Sequence, residues 1–398
     1  MYKPKESFPV YLGMSKRKAA ITTIRNLIVL LFLIEAGIAC KQTNKTMPKA
    51  NKNHMKTTHC VDKKQFDTIV DGKGVTLFWL KRNGIEVAIT NYGARIVSLL
   101  VPDKNGNRVD VNMGWSTIKE YLASHADYYG ATIGRVGNRI ANGKFDLNGV
   151  TYTIPTNNNG NALHGGHKGF QAVVWQAEKE NGHRLVLRYV SPHMEEGFPG
   201  ELTTKVTYEL QENAALKISY EATTDRPTMI NLTNHAYFNL NGEGSGTILH
   251  HRLQLFADAF TPVNAELIPT GEIRKVKGTP FDFTTPKTIG KHIDSENEQL
   301  RLGGGYDHNY VLNSPTEGDM RHAARVVGDQ SGILMDVYTM EPGIQLYTGN
   351  FMDAKRTALC LETQHFPDAP NQPNFPSIQL DPGTTYKTTS EYHFSLEN

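Results

Sequence analysis

From Phe66 onward the chain is written in short runs whose apolar residues recur at every second position, the period of a half-buried β-strand. The clearest covers 202–210, where Leu202, Thr204, Val206, Tyr208 and Leu210 alternate with Thr203, Lys205, Thr207 and Glu209. After the turn-like QENAA comes a second run with Leu216, Ile218, Tyr220 and Ala222 on one face, and the pair predicts an antiparallel hairpin. Runs at 74–80, 85–90, 95–101 and 184–190 carry the same signature, separated by RNG, DKNGN and ENGH, whose Asn and Gly residues suit tight turns. Helical patterning is confined to STIKEYLAS and to a turn or two at TIGKHI. This many strands with short connections predicts an all-β fold, a large antiparallel β-sandwich.

One run has an unusual outer face. In NLTNHAYFNL (231–240), counted from Ile230, one side collects Ile230, Leu232, Asn234, Ala236, Phe238 and Leu240, and the other collects Asn231, Thr233, His235, Tyr237 and Asn239. A strand facing solvent usually holds Lys, Glu or Arg on its outer side, whereas this stretch carries no formal charge apart from any proton on His235. The polar face therefore reads as the wall of a cleft.

Composition narrows the partners. With 42 basic and 40 acidic residues and a net charge of +2, the chain offers no field that argues for nucleic acid or another polyanion. Its 398 residues suit one large or two average domains, but no linker, repeat or low-complexity tract interrupts the sequence after Phe66, so residues 65–398 are read as one catalytic domain.

The N-terminus differs. Lys16, Arg17, Lys18 and Arg25 precede an apolar core from Leu27 to Ile34, and small residues lead to Cys40: the layout of a signal peptide, assigned to residues 1–40. Glu35 closes the apolar run well short of the roughly 20 residues a spanning helix needs. A cysteine directly after AGIA resembles a lipoprotein lipobox, although Gly37 stands where a branched aliphatic residue is usual. The expectation is an exported protein, periplasmic or membrane-anchored through a lipid on Cys40, and cytoplasmic only if this segment is not a working signal. Residues 41–64, polar and basic, read as a flexible tether. Cys40, Cys60 and Cys360 are the only cysteines, and Cys60 and Cys360 are expected as free thiols rather than a bridge.

Candidate chemistry gathers in GRVGNRIANGKF (134–145), NALHGGHKGF (161–170) and CLETQHFPDAPNQPNF (360–375), alongside His235. His164 and His167 in HGGH have a spacing that invites zinc. The glycines between them favour a loop, however, and neither an HExxH helix nor a thiol pair accompanies them, so no metal is expected. Glu362 lies on a short apolar run before a Pro-rich loop, where a carboxylate is either paired structurally or held in a cleft as a base. A GxSxG nucleophile elbow is absent, and the glycines of GRVGNR lack the lysine of a phosphate-binding loop, so nucleotide cofactors are not expected. Arg139, taken alone, is more often a surface or ion-pair residue.

Taken together, GRVGNRIANGKF, LHGG, NLTNHAYFNL, GYDHNY, PGIQLYTGNF and LETQHFPDAPNQPNFPS, in this order between Phe66 and Phe394, closely resemble the aldose 1-epimerase (galactose mutarotase) family. The resemblance implies the mutarotase supersandwich with an open sugar cleft. It also implies interconversion of the α and β anomers of aldohexoses such as glucose and galactose, with no cofactor. Glu362 is the implied base and His235 the implied acid, a histidine expected to be partly protonated near neutral pH beside a carboxylate. Asn138, Arg139 and His164 are implied to bind and polarise hydroxyls, and Asp307 and Gln345 to hydrogen-bond the sugar. Trp115 and Phe281 are further candidates for an apolar platform. The expected partner is a small-molecule aldose, with the protein a monomer or homodimer. Two readings compete: a non-catalytic carbohydrate-binding lipoprotein, and an epimerase of hexose 6-phosphates, which would need several arginines. A glycosidase, with Asp307 as a second carboxylate, fits less well.

Overall fold

The computed structural model describes residues 61–124, 128–313 and 318–397. Three antiparallel sheets organise them. The largest has nine strands, beginning Gln176–Asn181, Arg184–Ser191, Leu202–Leu210 and Ala215–Thr224, then crossing to Tyr386–Leu396, Ile333–Thr339, Arg321–Val327, Arg252–Leu255 and Lys287–Thr288. A six-stranded sheet runs in the order Tyr237–Phe238, Leu359–Gln364, Gly343–Tyr347, Asp307–Leu312, Ala257–Phe260 and Arg274–Lys275. A four-stranded meander comprises Leu77–Arg82, Ile85–Thr90, Arg95–Pro102 and Arg108–Asp110. One continuous apolar core joins all three: Val206, Ile218 and Tyr392 from the first, Ile344, Leu346 and Leu361 from the second, and Val87 and Leu99 from the third. The all-β sandwich is therefore present as the periodicity predicts.

The hairpin pairs Leu202 with Thr224 through to Leu210 with Leu216, so each inward residue of one strand faces an inward residue of the other. The 74–80 run breaks at Thr76, whose N–H turns to Asn91 Oδ1 at 2.8 Å. STIKEYLAS forms the helix Ile118–Ala123, opened by Thr117, which accepts from Glu120 N–H and donates to the Glu120 carboxylate, a reciprocal cap. TIGKHI yields a single 3₁₀ turn, Ile289–Lys291. A second helix, Glu298–Gly303, is too short for periodicity to register. Its ends are nonetheless marked by Asn297 at the N-cap and left-handed Gly304 after it.

The strand expected over 231–240 is broken into Thr233–His235, which pairs with Ala131–Ile133, and Tyr237–Phe238, which pairs with Leu359–Gln364. Alternation survives the break. Ile230, Leu232, Ala236, Phe238 and Leu240 enter the main core, and the Asn234 amide on the same side donates to Gly130 O and the Tyr208 hydroxyl at 3.0 and 3.2 Å.

The tether assigned to 41–64 ends earlier than the polarity of its residues suggests. Val61 is buried beside Phe66, Tyr92 and Tyr121, and Asp62 caps the turn Lys63–Gln65. A single apolar side chain with a groove to enter outweighs its charged neighbours, whose heads reach water regardless. The signal segment and the rest of the tether, with Cys40 and Cys60, lie outside the described residues. Cys360 is a buried free thiol packed with Tyr237 and Tyr347. Because Phe66 is fully buried in this N-terminal cluster, Phe66→Ala is expected to cost about 3–5 kcal/mol, measured as a lowered urea midpoint with an unchanged slope.

Candidate active site

Three neighbouring strands of the six-stranded sheet have no exposed face. Leu359–Gln364 and Gly343–Tyr347 are buried at every position, and Asp307–Leu312 at every position but one. Ile344, Leu346 and Leu361 point to the core, which sends Gln345 and Glu362 to the opposite side. Gln345 stands directly across from Glu362 and from Asn309, and Asp307 lies diagonally beyond. The Gln345 amide donates to Asp307 Oδ1 at 2.6 Å. Behind this row, His308 accepts from Asp307 N–H through Nδ1 and meets Gln299 of the second helix through Nε2, which makes Nε2 the protonated nitrogen.

His235 comes from the Thr233–His235 piece and approaches from the side, its Nε2 3.6 Å from Glu362 Oε1. Neither side chain is more than 6 % exposed. Burial pulls the His235 imidazole down to about 3, and burial, reinforced by Asp307, pushes the Glu362 carboxyl well above its usual range, with Arg139 opposing. This corrects the expectation of a partly protonated histidine. Desolvation of the charged ring dominates, with Arg95 adding to it, and an uncharged pair is favoured. Asp307 is raised too, by burial first.

His164 sits just past Ala162–Leu163, a short strand paired with Arg139–Ile140. Asn138 and His164 both take left-handed backbone, at φ 60° and 52°. The turn is crowded as well: a Cβ on Gly165 would lie 2.0 Å from Gly134 O, so only glycine permits this approach. Asn138 N–H donates to His164 Nδ1 at 3.1 Å, leaving the ring proton on Nε2. Burial holds His164 well below its ordinary value, with His235 and Arg139 adding to the effect, so it is a neutral donor. Its ring centroid is 5.1 Å from that of His235. Arg139 is buried, donates to Asn158 Oδ1 at 3.3 Å, and acts on Glu362, Asp307 and His164.

All seven residues singled out from the sequence thus belong to one connected cluster. His235 Nδ1, Gln345 Oε1 and Glu362 Oε2 are buried with no hydrogen-bond partner in the protein, which is the pattern of groups placed for a polar ligand. The donor atoms of His164, His235 and Glu362 also lie within 4.8 Å of one another. They do not fit a resident metal, because His164 Nδ1 is occupied by Asn138 and its other nitrogen carries the proton where a metal needs a lone pair. His164 and His167 do not act as a pair either, for His164 is buried and His167 exposed.

The apolar wall is tyrosine, which the sequence analysis did not single out. Tyr237 stacks on His235 at 4.8 Å, and Tyr347 meets His235 edge-on at 6.5 Å. Phe281 is no platform: it is fully buried and stacks on Phe260 at 4.3 Å inside the core. Trp115 packs edge-on against Tyr129, which in turn packs on Tyr237, one ring removed from His235. The i, i+2 relation of Tyr237 to His235 on a cleft-facing alternation was the available signal.

A second layer ties the carriers together. Buried Glu341 accepts from His365 Nδ1 at 2.6 Å and from the Tyr386 hydroxyl at 3.4 Å. Asn231 clamps the His365 backbone through both its carbonyl and its amide. Glu341 precedes the Gln345 strand, His365 follows the Glu362 strand, and Asn231 leads into His235, so one network fixes all three.

Comparison with known proteins identifies the family. The family profile described as aldose 1-epimerase matches residues 77–393. The chain is 43% identical to a galactose mutarotase of Sus scrofa over 349 residues, covering 84% of this chain and 99% of that protein. It is 35% identical to an aldose 1-epimerase of Escherichia coli (strain K12) over 340 residues, covering 82% and 97%. Among solved structures, an aldose epimerase homologue from C. elegans superposes with a TM-score of 0.76 at 32% identity, covering 81% of this chain and all of that one. A galactose 1-epimerase from Lactobacillus acidophilus gives 0.73 at 26% identity, covering 83% and 97%. The chain belongs to the aldose 1-epimerase family and is a carbohydrate isomerase that exchanges the anomers of an aldose.

Proposed function

We propose that Glu362 and His235 are the base and acid of this exchange, acting on neutral aldohexoses such as galactose and glucose. Glu362 takes the proton of the anomeric hydroxyl while His235 gives one to the ring oxygen. The ring C–O bond breaks, its electrons go to the ring oxygen, and the anomeric oxygen becomes the aldehyde carbonyl. Rotation about the bond next to that carbonyl, followed by the reverse transfers, gives the other anomer.

The observation that carries this reading is the pair itself, acid and base 3.6 Å apart with nearly all water excluded. Opening converts carboxylate plus imidazolium into carboxylic acid plus imidazole. Burial favours the second, uncharged pair in the free site, so the ionised pair that opens the ring is the minor form there, and Arg139 beside Glu362 works in its favour. His164, as a neutral Nε2–H donor, and Arg139 supply hydrogen bonds to sugar oxygens, and Asp307 and Gln345 hold hydroxyls farther from the reacting carbon. Arg139 is the one arginine among the seven clustered residues, whereas a phosphate dianion calls for several, which favours neutral sugars over hexose 6-phosphates. We further propose that the N-terminal segment exports the enzyme and that Cys40 is lipidated, a reading supported by the charge and hydropathy order of residues 14–40.

Polarimetry of freshly dissolved α-D-glucose and α-D-galactose is expected to show accelerated equilibration. His235→Ala and Glu362→Ala should each lose about a hundredfold or more. Sugar binding without acceleration by the wild type would support the carbohydrate-binding reading instead.

Glu362 also links pH to stability. Its folded pKa lies above the ordinary value of 4.5, so its stabilising contribution is complete below that value and is lost as pH rises through the raised one. Glu362→Gln is therefore expected to abolish activity yet raise Tm at neutral pH, with the gain shrinking toward pH 4. A variant less stable than wild type at pH 7 contradicts this.

For localisation, cell fractionation with a fatty-acid label should find the protein labelled and membrane-bound, and Cys40→Ser should abolish the label. Recovery of all the wild-type protein in the soluble cytoplasmic fraction rules out export.

A further inference from the structure

We propose that Tyr128 is a positioning residue of this site, its ring clamping His164 and His235 in the mutual orientation that presents both imidazoles to one sugar. The Tyr128 ring meets His164 edge-on, with centroids 4.5 Å apart and planes at 63°. It also lies near-parallel to His235 at 5.6 Å and 23°. Tyr128 thus contacts both imidazoles, which themselves stand nearly perpendicular at 77°. An aromatic edge against one ring and a face along the other favours that perpendicular arrangement over alternatives.

The backbone next to Tyr128 is tied to the strand it serves. Gly130 N–H donates to the His235 carbonyl at 2.9 Å, and Gly130 O accepts from the Asn234 side chain at 3.0 Å. Buried Arg95 holds the Tyr129 carbonyl at 3.1 Å. A Cβ on Gly130 would fall 1.8 Å from Ile96 O, so this close approach depends on glycine. With Gly130 bonded to the same residue whose side chain Tyr128 covers, ring and imidazole share one frame, and a shift of either is resisted by main-chain hydrogen bonds.

Positioning of this kind has two consequences. The acid and the hydroxyl donor keep their geometry without the sugar having to impose it, and water is kept from one side of the His235 ring. The other groups facing that ring are Glu362 at 3.6 Å, Tyr237 at 4.8 Å, His164 at 5.1 Å and Tyr347 at 6.5 Å, with Arg95 acting at longer range.

The test compares Tyr128→Phe, Tyr128→Leu and Tyr128→Ala by polarimetry and by NMR titration of the His235 ring in histidine-labelled protein, with near-UV circular dichroism to establish that each is folded. Tyr128→Phe keeps the ring and is expected within about threefold of wild type, while Tyr128→Leu and Tyr128→Ala lose about tenfold to a hundredfold in kcat with a smaller change in KM. In the latter two the His235 titration midpoint should rise toward the ordinary imidazole value as water reaches the ring. Should Tyr128→Ala fail to fold, Tyr128→Leu carries the comparison. Wild-type kcat and midpoint in Tyr128→Leu would overturn the proposal, as would a Tyr128→Phe variant as defective as Tyr128→Leu. The clamp rests on the acid role given to His235 only for its kinetic arm. An inactive wild type would remove that role, while the NMR midpoint would still decide whether Tyr128 shields the ring.

Discussion

An imidazole and a carboxylate held 3.6 Å apart, almost without exposure, form the arrangement on which the rest of the site depends. Left to relax, either group would turn toward water, because burying an ionisable side chain is costly and an isolated buried charge costlier still. The structure prevents this by giving neither side chain anywhere to go. Glu362 is on a strand buried on both faces, and His235 is walled by tyrosines. The penalty then appears as displaced pKa values, the imidazole lowered and the carboxyl raised, so the uncharged pair is the favoured form of the free site and the ionised form that the proposed acid and base roles require is the minor one.

Around the pair, polar groups are arranged in layers with different degrees of satisfaction. Residues one step behind the site are fully engaged: His308 with Gln299, Glu341 with His365 and Tyr386, Asn231 with the His365 backbone. Residues at the site keep atoms without protein partners, among them Gln345 Oε1 and Glu362 Oε2. Glu341 and Asn231 are as buried as the site residues, whereas His365 and Tyr386 are half-buried. A fully bonded outer layer is what allows an inner layer to hold unmatched polar atoms without collapsing onto them.

The tautomer of His164 shows how a local backbone detail sets chemistry. One main-chain N–H at Asn138, in left-handed conformation, chooses which ring nitrogen carries the proton. The same bond that makes His164 a hydroxyl donor disqualifies it as a metal ligand, although its distance to His235 and Glu362 would otherwise suit one. Residue type and proximity are therefore insufficient to assign a site, and the direction of a single hydrogen bond decides between two chemistries.

Sequence alone determined the all-β class, the 202–222 hairpin, the two faces of 231–240 and the identity of the seven polar residues that converge. These are properties of local period and of motif, and period 2 is set by the pleat of a strand whatever it pairs with. Tertiary structure decided the rest. That Val61 is core, that Phe281 lies inside rather than in the cleft, and that Tyr128, Tyr237 and Tyr347 form the wall all depend on which strands lie side by side, and pairings between distant segments leave no mark on local pattern. The protonation of His235 could not be inferred from its having a carboxylate neighbour. Desolvation is summed over every atom that displaces water from the ring, and those atoms come from segments scattered along the whole chain.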